Sequence, residues 1–81
     1  MKIRVQFYSQ LRDLAGHQAV DVDLTEGATV ADLLDKIYHE MPPLRAHDKA
    51  ILTGVGVEFV ERDYVIKPGD DISVMPPVQG G

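Results

Sequence analysis

Apolar and polar residues alternate over the first eight positions, with Ile3, Val5 and Phe7 set against Lys2, Arg4, Gln6 and Tyr8. A period of two puts the apolar set on one face of a half-buried strand. Ser9 to Ala15 predicts a short helical turn, with Ser9 as its N-cap, Leu11 and Leu14 facing inward and Gly16 ending it. Val20, Val22 and Leu24 then alternate with Asp21, Asp23 and Thr25, which predicts a second strand close enough to pair with the first as a hairpin. Thr29-Val30-Ala31-Asp32 has the capping-box pattern and opens the clearest helix of the chain. Val30, Leu33, Leu34, Ile37 and Met41 share one face at helical spacing, while Asp32, Asp35, Lys36 and Glu40 lie elsewhere. Pro42-Pro43 stops that helix, because proline lacks an N–H and disfavours helix in the residue before it.

Leu44 to Lys49 reads as loop. Ile51 to Val57 is apolar and glycine-punctuated, as expected of a buried strand with a bulge or turn at Gly54 or Gly56. Phe59 and Val60 predict a short edge strand, Lys67-Pro68-Gly69-Asp70 a turn, and Asp71 to Met75 the last strand. The order strand, strand, helix, strand, short strand, strand is an α+β design: a mixed sheet of about four to five strands with one main helix on one face.

Composition limits the function. The 81 residues suit one domain. A net charge of -5 disfavours a nucleic-acid or membrane surface as partner, since both are negative, and no Lys/Arg stripe with interleaved aromatics is present. The same charge also serves simply to keep a small domain soluble. The N-terminal stretch has no long apolar segment and no run reaches transmembrane length, so a cytoplasmic location is expected. With no cysteine, the chain offers no disulfide, thiolate metal site or persulfide of its own. His17, His39 and His47 lack compact metal-ligand spacing, and no metal is expected. Asp70-Asp71 reads as a turn acid beside a strand start, because adjacent strand residues face opposite sides. Thr53 and Ser73 have no evident base partner for nucleophilic work.

The last ten residues, Ile72-Ser73-Val74-Met75-Pro76-Pro77-Val78-Gln79-Gly80-Gly81, carry no charged side chain. Pro76 and Pro77 favour an extended stem. Gly80 and Gly81 have no Cβ, so they can enter a narrow channel and adopt angles closed to other residues. This suits chemistry at the terminal carboxylate. Transferred onto the α-phosphate of ATP by another enzyme, that carboxylate becomes an acyl adenylate, and a sulfur nucleophile can replace AMP to leave a Gly81 thiocarboxylate. Such a carrier needs no catalytic side chain, and the sulfur rides on the carbonyl carbon. A terminal Gly-Gly alone is a weak signal, since many proteins end in a frayed glycine-containing tail. Gly-Gly behind a Pro-Pro stem and an uncharged stretch, directly after a strand, is more specific.

Here the chain resembles the ubiquitin-like sulfur carriers of the MoaD/ThiS family, most closely the small subunits of molybdopterin synthase. The resemblance rests on Phe7-Tyr8-Ser9-Gln10-Leu11-Arg12-Asp13-Leu14-Ala15-Gly16, on Thr29-Val30-Ala31-Asp32-Leu33-Leu34, on Pro68-Gly69-Asp70-Asp71-Ile72, and above all on Pro76-Pro77-Val78-Gln79-Gly80-Gly81. The chain departs from the family's pattern at Gly56, where Asn is frequent, at Met75, where an aromatic is common, and at Gln79, where Ser or Thr is usual. The resemblance implies a β-grasp domain over 1–75 and an extended Gly-Gly tail over 76–81. It implies that a ubiquitin-activating-like adenylyltransferase uses ATP to activate Gly81, with no cofactor bound permanently. It further implies that the thiocarboxylate donates sulfur to the dithiolene of molybdopterin, with the tail inserted in a large catalytic subunit and the two chain types forming a heterotetramer. Tyr8, Leu52 and Met75 then map to the apolar contact surface, partial core packing being the alternative for all three. Two further readings stay open. One is the same carrier chemistry serving thiamin, cysteine or tRNA thiolation, or protein modification. The other is a non-catalytic β-grasp interaction domain with an inert tail.

Overall fold

The computed structural model describes residues 1–77, so Val78, Gln79, Gly80 and Gly81 lie outside the described residues. The elements run β1 (Lys2–Phe7), α1 (Gln10–Ala15), β2 (Ala19–Asp23), α2 (Val30–Glu40), a 3₁₀ segment (Pro42–Ala50), β3 (Leu52–Val55), β4 (Glu58–Val60) and β5 (Asp71–Met75). The five strands form one sheet in the order β2-β1-β5-β3-β4. β1 and β5 are parallel at its centre, with Phe7 opposite Val74, and the other pairings are antiparallel. This is the mixed sheet that the strand pattern predicts, in the β-grasp arrangement that the family resemblance implies.

Period-two alternation decides which face of the sheet is buried. Ile3, Val5 and Phe7 of β1, Val22 of β2, and Ile72 and Val74 of β5 join one core with Leu33, Leu34 and Ile37 of α2. Tyr38 is also buried there, a position the helical stripe did not include. The α2 capping box is present: Asp32 N donates to Thr29 Oγ1 at 3.3 Å, and Thr29 N donates to Asp32 Oδ2 at 2.9 Å. Its remaining first-turn donors find backbone partners, Val30 N donating to Tyr64 O and Ala31 N to Arg62 O. An N-terminal turn with its donors satisfied can sit against the body without leaving orphaned polar groups.

Three local features differ from expectation. Leu14 is at the rim, 36% exposed, while Leu11 and Ala15 are the buried residues of α1. The inward face of so short a helix is a single i, i+4 pair, which leaves no room for a third residue. Ser9 occupies the N-cap position but makes no side-chain cap bond, with φ 57° and ψ -137°. It is the one non-glycine residue with positive φ among the described residues. Strain of this kind costs about 1–3 kcal/mol. Ser9→Gly is therefore expected to stabilise the fold by roughly 1 kcal/mol after the extra entropy of glycine in the unfolded chain. A higher urea midpoint at unchanged slope checks this, and a lower midpoint would show that Ser9 is unstrained.

The third difference is at residues 44–49, expected as loop and found within the nine-residue 3₁₀ segment, with Leu44 fully buried. Pro42-Pro43 does stop α2, where Met41 N makes the closing bond to Ile37 O. The same residues preset φ for the next helical turn, where a missing N–H costs nothing. Between β3 and β4 the reversal is at Gly56, φ +60°, with Val55 opposite Glu58. Glycine at the first central position of a two-residue hairpin is the II′ requirement. Gly54 lies in the strand and makes no bulge. Buried Thr53 donates its hydroxyl to Val60 O at 3.0 Å, tying β4 to β3.

Candidate functional site

The face of the sheet away from the core collects most of the exposed large apolar residues. Gln6 and Tyr8 alternate out of β1, Ser73 and Met75 out of β5, Leu52 and Gly54 out of β3, and Phe59 stands opposite Gly54 on β4. Tyr8 N donates to Val74 O, extending the parallel ladder one residue beyond β1, and Met75 pairs with Leu52. Tyr8, Met75 and Leu52 therefore form one row across the end of the sheet from which the stem departs. All three expected contact residues share this face. Tyr8 is 43% exposed and Leu52 38%, so core packing does not account for them, while Met75 is partly buried.

Tyr8 and Met75 line a shallow concavity of about 290 Å³ together with Gly54, Val57, Phe59 and Ser73. Leu52 is beside it and not in its wall. Gly54 makes the concavity possible: a Cβ there would lie 3.3 Å from Met75 Cε and 3.1 Å from Glu58 O. Without that atom, the Met75 side chain lies across β3. Phe59, 66% exposed, and Val57, fully exposed, complete the patch. From the sequence, Phe59 was legible only as an edge-strand residue. The available signal was its neighbour Val60: with that residue turned inward, an aromatic one position away must face out.

The stem begins where the ladder ends. Pro76 has no N–H with which to continue the pairing to β1, and the Tyr8 carbonyl accepts instead from Leu11 N at 3.2 Å. Pro76 is partly buried and Pro77 exposed. Val78, Gln79, Gly80 and Gly81, the expected inserted and reacting positions, lie outside the described residues.

On the opposite side a polar cluster joins α2, the 3₁₀ segment and Arg62. Tyr38 Oη donates to Asp48 Oδ1 at 2.6 Å, and Arg62 Nη1 donates to the same oxygen at 2.9 Å. Burial, aided by the Asp48 carboxylate, pushes the Tyr38 phenol well above its ordinary range. The bond from Tyr38, then that from Arg62, holds the Asp48 carboxyl below the usual carboxylate range. The two directions agree, since a phenol donating to a carboxylate stabilises the neutral phenol and the charged acid together. Asp70 is a turn acid as expected, accepting from Tyr64 Oη and Lys67 N at 2.9 Å each. Among the described residues, no group of three or more His, Cys, Asp or Glu side chains is placed to hold a metal ion. No described helix is long and apolar enough to cross a membrane.

The family pattern extends over almost all of this framework, since the sequence model of the ThiS family matches residues 5–81. The chain belongs to the ThiS family. Within it, this ThiS-family chain is 31% identical over 81 residues to the molybdopterin synthase sulfur carrier subunit of Escherichia coli K12, the alignment covering 98% of this chain and 99% of the relative. It is 30% identical over 83 residues to the protein of the same description from Chlamydomonas reinhardtii, covering 100% of each. The crystal structure of SAMP1 from Haloferax volcanii matches the ThiS-family fold described above with a TM-score of 0.88 at 27% identity, covering 100% of both chains.

Proposed function

We propose that this protein is a sulfur carrier whose reacting group is the Gly81 carboxylate, and that it serves as the small, non-catalytic subunit of a molybdopterin synthase. The observation that carries the reading is the Pro76-Pro77-Val78-Gln79-Gly80-Gly81 ending, inside a ThiS-family match that runs to residue 81. Full-length similarity to two proteins described as molybdopterin synthase sulfur carrier subunits supports it.

The domain of residues 1–75 docks and the tail of residues 76–81 reacts. A Gly81 carboxylate oxygen attacks the α-phosphorus of ATP on an adenylyltransferase of the ubiquitin-activating type, and pyrophosphate leaves. A hydrosulfide-level nucleophile then attacks the carbonyl carbon, AMP leaves with the acyl oxygen, and a thiocarboxylate remains. The apolar outer face, centred on Tyr8, Phe59 and Met75 with Leu52 at its edge, seats the body on its partners. The tail then reaches into the large catalytic subunit of the heterotetramer, and the sulfur passes to the molybdopterin dithiolene. No cofactor stays bound to the carrier, and the reaction belongs to the cytoplasm.

A reconstitution tests the acceptor. Thiocarboxylated protein, mixed with a large subunit and a pyranopterin precursor, is expected to yield the dithiolene with two carriers spent per product, one for each sulfur. Sulfur transfer to thiamin, cysteine or tRNA precursors, or isopeptide attachment to proteins, with no dithiolene formed, would assign the same carrier chemistry to another acceptor.

A further inference from the structure

The stem is seated as it leaves the sheet. Pro76 and Pro77 line a crevice with Gln10 and Leu11 of α1 and with His47, Ala50 and Ile51 at the end of the 3₁₀ segment. Its free volume is about 20 Å³, room for about one water and no more, so the proline rings lie close against its walls. The Leu52–Met75 pairing carries the register on to Ile51 opposite Pro76. With no N–H on Pro76 or Pro77, this seat works by shape, and its accuracy depends on where the 3₁₀ wall stands.

Arg62 determines where that wall stands. Its guanidinium donates to Asp48 Oδ1 at 2.9 Å, to Asp48 O at 2.7 Å and to Ile51 O at 3.2 Å. Its own carbonyl accepts from Ala31 N at the start of α2. One side chain thus fixes both ends of the stretch 48–51, which contributes Ala50 and Ile51 to the seat. The ion pair is worth little to stability in itself, since Arg62 is 39% and Asp48 43% exposed. The two bonds to backbone carbonyls are the informative part, because they constrain position.

We propose that Arg62 is a positioning residue for the chemistry at the tail: by clamping Asp48 and Ile51 it holds the wall against Pro76-Pro77 and fixes where the stem leaves the sheet. The proposal rests on the sulfur-carrier reading. An error of about 1 Å at a reacting group can cost roughly 100-fold in rate, so the placement of the stem that carries that group matters to the rate.

The test compares the full-length protein with Arg62→Met and Arg62→Lys, neither of which reproduces the three-way fork. Proximity of the Pro76 and Pro77 rings to Ile51 and His47 is measured by NMR as nuclear Overhauser effects, and ATP-dependent adenylation by an activating enzyme is measured as separate kcat and KM. The expected result is disappearance of those effects, a kcat lower by about 10- to 100-fold, and a KM unchanged because the docking face is intact. Arg62→Lys supplies the comparison if Arg62→Met does not fold. Proline rings still seated in the variants, rings unseated with kcat unchanged, or a rise in KM alone would each overturn the proposal. A parent protein whose proline rings are seated but which is never adenylated would overturn the carrier reading instead.

Discussion

Removing Gly81 is expected to abolish the proposed adenylation and thiocarboxylate formation while leaving stability within about 0.5 kcal/mol of the parent. The packed core is built from β1, β2, β5, α2 and the residues between them, with Leu44 and Ile66 completing it, and all of it precedes Pro76. The shortened protein still presents a carboxylate, now on Gly80. That group falls about 3.5 Å short of the position Gly81 would reach. A displacement of that size is beyond what in-line attack on a phosphorus tolerates, so a loss of at least about 100-fold is expected. Gly81→Ala keeps the reach and adds a Cβ, and it is expected to lose activity in a narrow channel to a smaller degree. Adenylation followed by pyrophosphate release, with circular dichroism on the same samples, reads both effects. Full activity of the shortened protein would move the reacting group away from the terminus and remove the basis of the carrier account.

Phe59→Asp is expected to weaken binding to the proposed activating enzyme and large subunit by about 100-fold or more with little change in the unbound fold, and Met75→Asp to weaken it as well at some cost to the fold, since Met75 is partly buried. Aromatic anchors near the centre of an interface typically contribute about 2 kcal/mol or more each on truncation, which is about 30-fold. A carboxylate placed in the same desolvated spot adds the cost of stripping its water. Phe59 is 66% exposed on an edge strand, so the free protein loses little packing when it is replaced. Leu52→Ala is expected to have only a few-fold effect, because Leu52 stands beside the concavity and not in its wall. Titration calorimetry with each partner distinguishes these outcomes. Parent-like affinity in Phe59→Asp would show that the partners dock elsewhere on the chain.

The residues behind these two predictions also mark where sequence reading reaches and where it stops. The alternation of Ile3, Val5 and Phe7 and the Thr29–Asp32 box are local patterns with one structural solution each, and both appear as read. The family resemblance implies a contact surface at Tyr8, Leu52 and Met75, and strand register places the three in one row on one face of the sheet. Phe59 escaped because its outward face depends on pairing with Gly54, which composition alone does not reveal. Pro42-Pro43 carries two compatible meanings, a stop for one helix and a start for the next turn, and both are realised, with Leu44 buried in that turn. The Arg62–Asp48 clamp had no local signal at all, since it joins residues fourteen positions apart whose neighbours give no hint of the pairing. The tail is the reverse case: the chemistry proposed for it rests on the sequence alone, on the absence of side chains at Gly80 and Gly81.

The most direct test of the carrier account is the intact mass of the untagged protein after incubation with ATP, an activating enzyme and a sulfur donor. The account predicts a mass shift equal to replacement of one oxygen by sulfur, absent when Gly81 is deleted. An unchanged mass, with no AMP adduct at any time point, would contradict it and leave a β-grasp interaction domain with an unreactive tail.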